Sequence, residues 1–474
     1  MGSSLQLRID RNVGRAVEQA LAAHHRRRLE KVGWGGALEG TPDGGGTPGN
    51  DFDVIVDGAN ALPAIADALL EADSHVHIAG WHFSPDFALA RAGTPTVLRN
   101  LLAEVAQRAD VRVLAWAGAP LPVFHPSRRE VREMRRRLCA GTRIRCELDA
   151  RERPLHCHHE KIVVIDDRLA FVGGIDLSSL GGDRFDSSAH PARATVGWHD
   201  AAARVEGPAA AEVARHFALR WKEVTGETLP DPPPASHAGE IEVRVVRTVA
   251  EKIYESLPRG DFGILAAYVS ALRAAERLVY LENQFLWSPE IIDVLVGKLR
   301  NPPRDDFRLV VVLPAKPNNG EDNTRGMLAE LVAADGDAGR LLPCTLYARA
   351  GAQVDPVYVH AKIGIVDDSW LTIGSANLNE RSLFNDTEMN VVVRDRATTR
   401  AVRTRLWSEH LERDVGEDED PARLIGQEWR PIADEQLERR KTHGPLTHRL
   451  ARLPHVSRRS ARLKGPLDGL LVDG

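Results

Sequence analysis

The pattern His-x-Lys-x-x-x-x-Asp occurs twice, at His159-Lys161-Asp166 and His360-Lys362-Asp367, with matching positions offset by 201 residues. Gly173 and Gly374 keep that offset, as do Asp176 and Asn377. Solenoid units repeat every 20 to 50 residues or so, and this period is far longer. It calls for a domain present twice, with equivalent strands beside each other at a pseudo-two-fold axis. The fold must then bring two histidines and two lysines into matching positions.

The rest of the sequence supports such a division. Continuous apolar runs in the first part are Val76 to Ala79, Val111 to Trp116, Ile162 to Ile165 and Leu169 to Val172. Their counterparts are Leu278 to Leu281, Leu309 to Leu313, Ile363 to Val366 and Leu371 to Ile373. Helical patterns such as Val97–Gln107 and Ile291–Leu299 lie between them. Apolar runs separated by helices predict strands buried on both faces. The fold class is α/β: two similar lobes, each a mixed β-sheet flanked by helices, with the active site at the lobe interface. Residues 1–50 read as an N-terminal helical segment and a Gly-rich linker, since eight glycines fall between Gly33 and Asn50. The first lobe is expected over 51–229, a Pro-rich linker over 230–240 and the second lobe over 241–430. Residues 431–474 read as a basic C-terminal tail, with nine Lys/Arg and no acid from Arg439 to Lys464.

Phosphodiester chemistry suits the repeated residues. On a strand, His and Lys two positions apart share a face. Two such strands place two imidazoles and two ammonium groups in one cleft. The lysines hold non-bridging oxygens and balance developing charge. One neutral imidazole attacks phosphorus, giving a covalent phosphohistidine. The other donates a proton to the leaving alkoxide and then takes one from water, help worth roughly 100- to 10,000-fold. Histidine can do both because its free pKa is about 6.5. Neither a metal nor another cofactor is expected. The run His156-Cys157-His158-His159 suggests a metal site, but consecutive strand residues point to opposite faces.

The paired motifs resemble those of the phospholipase D superfamily. Leu281-Glu282-Asn283-Gln284-Phe285 is similar to the IENQYF segment of lipid-cleaving members. Gly173 to Leu177 (GGIDL), Asp183-Arg184-Phe185-Asp186 and His190-Pro191 resemble the GGxDL…GRYD…HP stretch of plant- and animal-type enzymes. Trp198-His199-Asp200 followed by Arg204 to Pro208 resembles their WHD…LxGP segment. Gly374 to Asn377, Asn379 to Ser382 and Asp386-Thr387-Glu388 resemble GSANINDRS…DSE. The likeness spans roughly residues 51 to 415.

The resemblance makes the two motif triplets the catalytic set, with His159 the nucleophile and His360 the general acid. Asp200 and Glu388 would each accept from the far nitrogen of one catalytic imidazole. Asp166 and Asp367, five residues beyond each lysine, read as structural ties within that set. Gly174, Asp176, Gln284, Ser375 and Asn377 are expected to bind phosphate or substrate, although a carboxylate at Asp176 would repel an anion.

The resemblance implies a phospholipase D acting on glycerophospholipids at a membrane surface, with hydrolysis to phosphatidic acid and transphosphatidylation. A cardiolipin-synthase-like phosphatidyltransferase is one alternative, and a nuclease is another. The net charge of −5 argues against a nucleic-acid partner, which a basic, aromatic-rich groove would attract. No apolar window is long enough for a spanning helix, and the N-terminus lacks a secretory core. Four dispersed cysteines suit a reducing compartment. The expectation is a cytoplasmic monomer that touches membranes peripherally, with basic residues each gaining roughly 1 kcal/mol near an anionic surface.

Overall fold

The computed structural model describes residues 45–120, 125–153, 156–193, 195–234, 236–316, 321–350 and 353–454. Two sets of strands form its frame, the central ones buried on both faces. In the first half these are β1 (Thr47–Val56), β2 (His75–Gly80), β3 (Asp110–Trp116) and β4 (Arg145–Asp149), then β5 (Ile162–Ile165), β6 (Leu169–Gly173) and β7 (Ala201–Glu206). In the second half they are β8 (Ile241–Val249), β9 (Leu278–Glu282), β10 (Arg308–Val312) and β11 (Leu341–Ala350), then β12 (Ile363–Val366), β13 (Trp370–Gly374) and β14 (Glu388–Val393).

Pairing runs β1-β7-β6-β5-β2-β3-β4 in the first half. It runs β8-β14-β13-β12-β9-β10-β11 in the second. The order is the same. In each half the last two pairings are parallel and the others antiparallel. β1 and β8 pair with each other and join the two sheets. The mixed α/β class expected from the sequence is therefore present, and each expected apolar run coincides with a strand.

Two helices lie where the sheets approach. Pro208–Thr225 starts with proline at its first turn, where no amide donor is needed, and stops at left-handed Gly226 (φ 77°), whose N–H caps Lys222 O. Arg396–Leu411 starts at Asp395, whose side chain accepts from Thr398 N–H. Phe217 and Trp221 from the first helix and Trp407 from the second share one apolar cluster with residues of both sheets. Two further clusters each belong to one half. The halves are thus packed through a common core.

Two expected boundaries change. The stretch Thr47 to Asn50, read as linker, is the start of β1, and Asn50 is fully buried. The tail is folded as far as residue 454. Helix Arg430–Lys441 is followed by strand Leu450–Arg452, which pairs with Cys344 to Leu346 on β11. Leu450 and Ala451 are fully buried, so short apolar interruptions in a basic sequence hold it to the body. The rest of both terminal expectations, 1–44 and 455–474, lies outside the described residues.

Candidate active site

Each motif sits just ahead of its strand rather than on it. His159 and Lys161 precede β5, and His360 and Lys362 precede β12. The segments are pinned across the interface. The N–H groups of His159 and Glu160 both donate to Thr387 O at 2.9 Å. Those of His360 and Ala361 donate to His199 O at 2.8 and 3.0 Å. The next residue after each acceptor, Glu388 or Asp200, supplies the carboxylate that meets the imidazole. His159 Nδ1 lies 3.0 and 3.1 Å from the two oxygens of Glu388. His360 Nδ1 lies 2.7 Å from Asp200 Oδ2. Each histidine is therefore oriented by the opposite half. The contact favours a proton on Nδ1 and leaves Nε2 as the reacting atom.

Both lysines turn back on their own motifs. Lys161 Nζ donates to His159 O at 2.6 Å, and Lys362 Nζ donates to His360 O. Lys161 also lies 3.5 Å from Asp176 Oδ1. Asp176 is further matched by Arg184 at 3.8 Å, so its carboxylate faces two cations. Gln284 Oε1 accepts from Lys362 (3.5 Å) and Asn377 (3.3 Å), and its Nε2 donates to Tyr358 Oη at 2.8 Å. These contacts place Asp176, Gln284 and Asn377 around the lysines.

Two expected phosphate contacts are engaged elsewhere. Gly174 N–H donates to Ala201 O at 3.0 Å. A Cβ on Gly174 would lie 2.2 Å from Asp200 Oδ1, so glycine lets the orienting carboxylate approach. Ser375 Oγ donates to Glu388 Oε2 at 2.5 Å and accepts from Met389 N–H at 3.1 Å. Both positions support an orienting carboxylate.

The motif aspartates lie at the far ends of β5 and β12, about 20 Å of extended chain beyond the histidines. Asp166 accepts the N–H groups of Asp73, Ser74 and His75 at 2.8 to 3.0 Å. Asp367 accepts those of Glu276, Arg277 and Leu278 at 2.7 to 2.8 Å. Each caps the chain entering β2 or β9. Both tie backbone, the structural part that their distance along the strand suggested. Each opens a turn of two left-handed residues, Asp166-Asp167 and Asp367-Asp368, with φ between 49° and 55°, a conformation aspartate tolerates.

Burial sets the electrostatics. It is the largest influence on Glu388, pushing the carboxyl up to about 8 against the opposing Lys161 charge and the Ser375 and Ser382 hydroxyls. Burial likewise raises Asp200 to about 6, opposed by Lys362. Burial, then Lys362, Lys161 and Arg184, hold His360 well below its ordinary range. Burial lowers Lys362 to about 7. A bound phosphodiester anion would oppose the cationic part of these shifts and restore charge to His360 and Lys362.

Three contributors carried no role in the sequence reading. Trp198 packs on the His360 ring (centroids 4.4 Å apart), with the Arg184 guanidinium 4.0 Å from the Trp198 centroid. Ser382 Oγ donates to Glu388 Oε1 at 2.6 Å. Trp198 and Arg184 lie in segments that had been matched to the family, and Ser382 stands six residues before Glu388. His158 turns away from the site. Its Nδ1 lies 2.8 Å from Thr387 Oγ1 and its Nε2 3.1 Å from Asp149. Among the described residues no helix is long and apolar enough to cross a membrane.

The chain is similar to one family model and to several named proteins. Residues 271–409 match the family model "Cardiolipin synthase, PLD-like domain". Phospholipase D A of Dictyostelium discoideum is 27% identical over 76% of this chain and 35% of its own length. Phospholipase D alpha 4 of Arabidopsis thaliana is 25% identical over 76% of this chain and 64% of its own. The chain spans only about a third of the length of the Dictyostelium relative. A phosphatidylserine synthase structure from Haemophilus influenzae Rd KW20 shares the fold, with TM-score 0.54 and 12% identity, covering 78% of this chain and 88% of that one. The resemblance to the phospholipase D superfamily extends over most of the sequence.

Proposed function

We propose that this chain, similar to phospholipases D over three quarters of its length, cleaves the headgroup ester of glycerophospholipids to give phosphatidic acid. The observation that carries the reading is the crossed pair of imidazoles: His159 on Glu388 and His360 on Asp200, with Lys161 and Lys362 beside them. His159 Nε2 attacks phosphorus while the bond to the headgroup oxygen breaks. His360 gives its proton to the leaving alkoxide. Water then attacks the phosphohistidine, His360 takes a proton from it, and the P–N bond breaks. The lysines hold the non-bridging oxygens throughout. The order of the two histidines follows the family resemblance. Both halves complete the site within one chain, so a monomer suffices. The substrate is presented at a membrane surface.

A second reading replaces water by an alcohol, giving a phosphatidyltransferase. The likeness to the cardiolipin synthase family model and to the phosphatidylserine synthase fold favours it. Both readings use the same intermediate. The test is formation of phosphatidic acid from mixed phospholipid micelles, with a primary alcohol in a parallel reaction. Wild type should form phosphatidic acid alone and phosphatidyl-alcohol with the acceptor. His159→Ala and His360→Ala should form neither. Transfer without hydrolysis selects the second reading. Folded wild-type protein with no turnover of any glycerophospholipid overturns both.

A further inference from the structure

Immediately behind the Asp200–His360 pair lies a second cluster of titratable groups with no part in the chemistry above. Asp57, His190, His199 and Glu409 come from both halves, and one ligand atom from each lies within 4.8 Å of all the others. His199 Nδ1 is 3.0 Å from Asp57 Oδ1 and 3.3 Å from Glu409 Oε1. His190 Nε2 is 3.1 Å from the same Glu409 oxygen and 3.8 Å from Asp57 Oδ2. Four-coordinate zinc, with bonds of about 2.0 to 2.1 Å, has ligand-to-ligand edges of about 3.3 Å. The separations of 3.0, 3.1 and 3.3 Å lie close to that value, and the one to the second Asp57 oxygen is 3.8 Å.

The ring nitrogens facing outward make the same point. His190 Nδ1 meets Asp186 Oδ2 at 3.1 Å, and His199 Nε2 meets Glu282 Oε2 at 2.7 Å. A carboxylate behind each imidazole fixes the tautomer whose lone pair points inward, as metal-binding histidines require. Two inward protons serve the cluster less well. They satisfy one contact each, and Asp57 Oδ2, in a fully buried residue, makes no hydrogen bond. One divalent cation replaces both protons with no change of net charge.

The geometry points to a structural divalent-cation site formed by Asp57, His190, His199 and Glu409. Two nitrogens and two carboxylates in four-coordination suit Zn2+, whereas Ca2+ takes six to eight oxygens, about 2.3 to 2.6 Å away. The cation takes no part in phosphoryl transfer. It ties Glu409, on helix Arg396–Leu411, to three residues of the first half. It also fixes His199, whose carbonyl receives His360 N–H and whose neighbour Asp200 holds the His360 ring. The metal therefore stiffens the support of one catalytic histidine and staples the halves.

The test is the metal content of the full chain, grown in zinc-replete medium and purified without metal-affinity steps. About one zinc per chain is expected. Asp186→Asn keeps all four ligands and should weaken zinc binding by roughly 10- to 100-fold. Glu409→Gln should lose the metal. His75→Gln should retain it, which separates this site from the His75-His77-Asp167 group. Chelator-treated wild type refilled with Co2+ should show the intense visible absorption of a four-coordinate ion. Far less than one metal per chain in folded wild type, with no thermal stabilisation on adding Zn2+, overturns the site in favour of protonated histidines. Metal content is read without any activity, so failure of the phospholipid assay leaves this test intact.

Discussion

The two halves share a backbone and differ in what surrounds it. Strand order, the Asp166 and Asp367 backbone ties, and the lysine folded onto its own histidine carbonyl are common to both. The charges are not. His159 is backed by Glu388, which two serine hydroxyls support. His360 is backed by Asp200 and covered by Trp198. Next to His159 stands Glu160, bound by Arg220 and by His216 at 2.7 Å, where the second copy has Ala361. Burial would raise Glu160, yet Arg220 and His216 outweigh it and hold the carboxyl well below its ordinary range. A repeated motif fixes position. Its surroundings give each imidazole a different carboxylate and different neighbours.

The largest effect should come from the shared atoms. His159→Ala and His360→Ala should each lower kcat/KM by about 10,000-fold or more, because members of one catalytic unit fail together. If one loss is slight, the halves are not partners in one site. Lipid turnover by each purified variant measures this.

Next comes the support behind His159. The ionised form of Glu388 accepts the His159 proton, and burial raises that carboxyl from 4.5 to about 8. The ionised fraction therefore falls as pH drops, and kcat/KM should fall with an apparent pKa near 8 on the acid side. Glu388→Gln should remove that limb and lower the rate roughly 100-fold. Ser375→Ala removes one donor to the carboxylate. It should shift the limb to higher pH while costing only several-fold at the plateau. Unchanged pH profiles in both variants would mean that Glu388 does not orient His159.

The smallest effect on chemistry should come from the third motif residue. Asp166→Ala and Asp367→Ala remove acceptors for three backbone amides each. By analogy with lost helix caps, each should cost about 1 kcal/mol of stability. Denaturant midpoints should fall while kcat/KM stays within a few-fold. A rate loss as large as that of the histidine variants would return these aspartates to the chemistry.

Much of this was legible in the sequence because it was repeated or periodic. The register of the motifs announced two equivalent halves, and apolar runs marked β2, β3, β5, β6 and their counterparts. β7, with the sequence AAARVE, has little strand character of its own and is placed by pairing with β1 and β6. β1 begins inside a Gly-rich stretch for the same reason. Within the site, the family resemblance offered Asp200 and Glu388 as imidazole partners without pairing them, and the crossing of Asp200 to His360 and Glu388 to His159 comes from the geometry. The engagement of Ser375 and Gly174 depends on packing across strands. The Asp57-His190-His199-Glu409 cluster draws on three separate stretches of sequence, and no spacing rule connects them.

In the proposed reaction the two motifs form one site in which His159 carries the phosphoryl group and His360 moves the proton. The direct measurement is rapid-quench labelling with a phospholipid radiolabelled at phosphorus, comparing wild type, His360→Asn and His159→Asn. The account predicts acid-labile label on His159, accumulating when His360 is replaced and absent when His159 is replaced. Label on His360 in the His159→Asn chain, or continued turnover without either histidine, would contradict it.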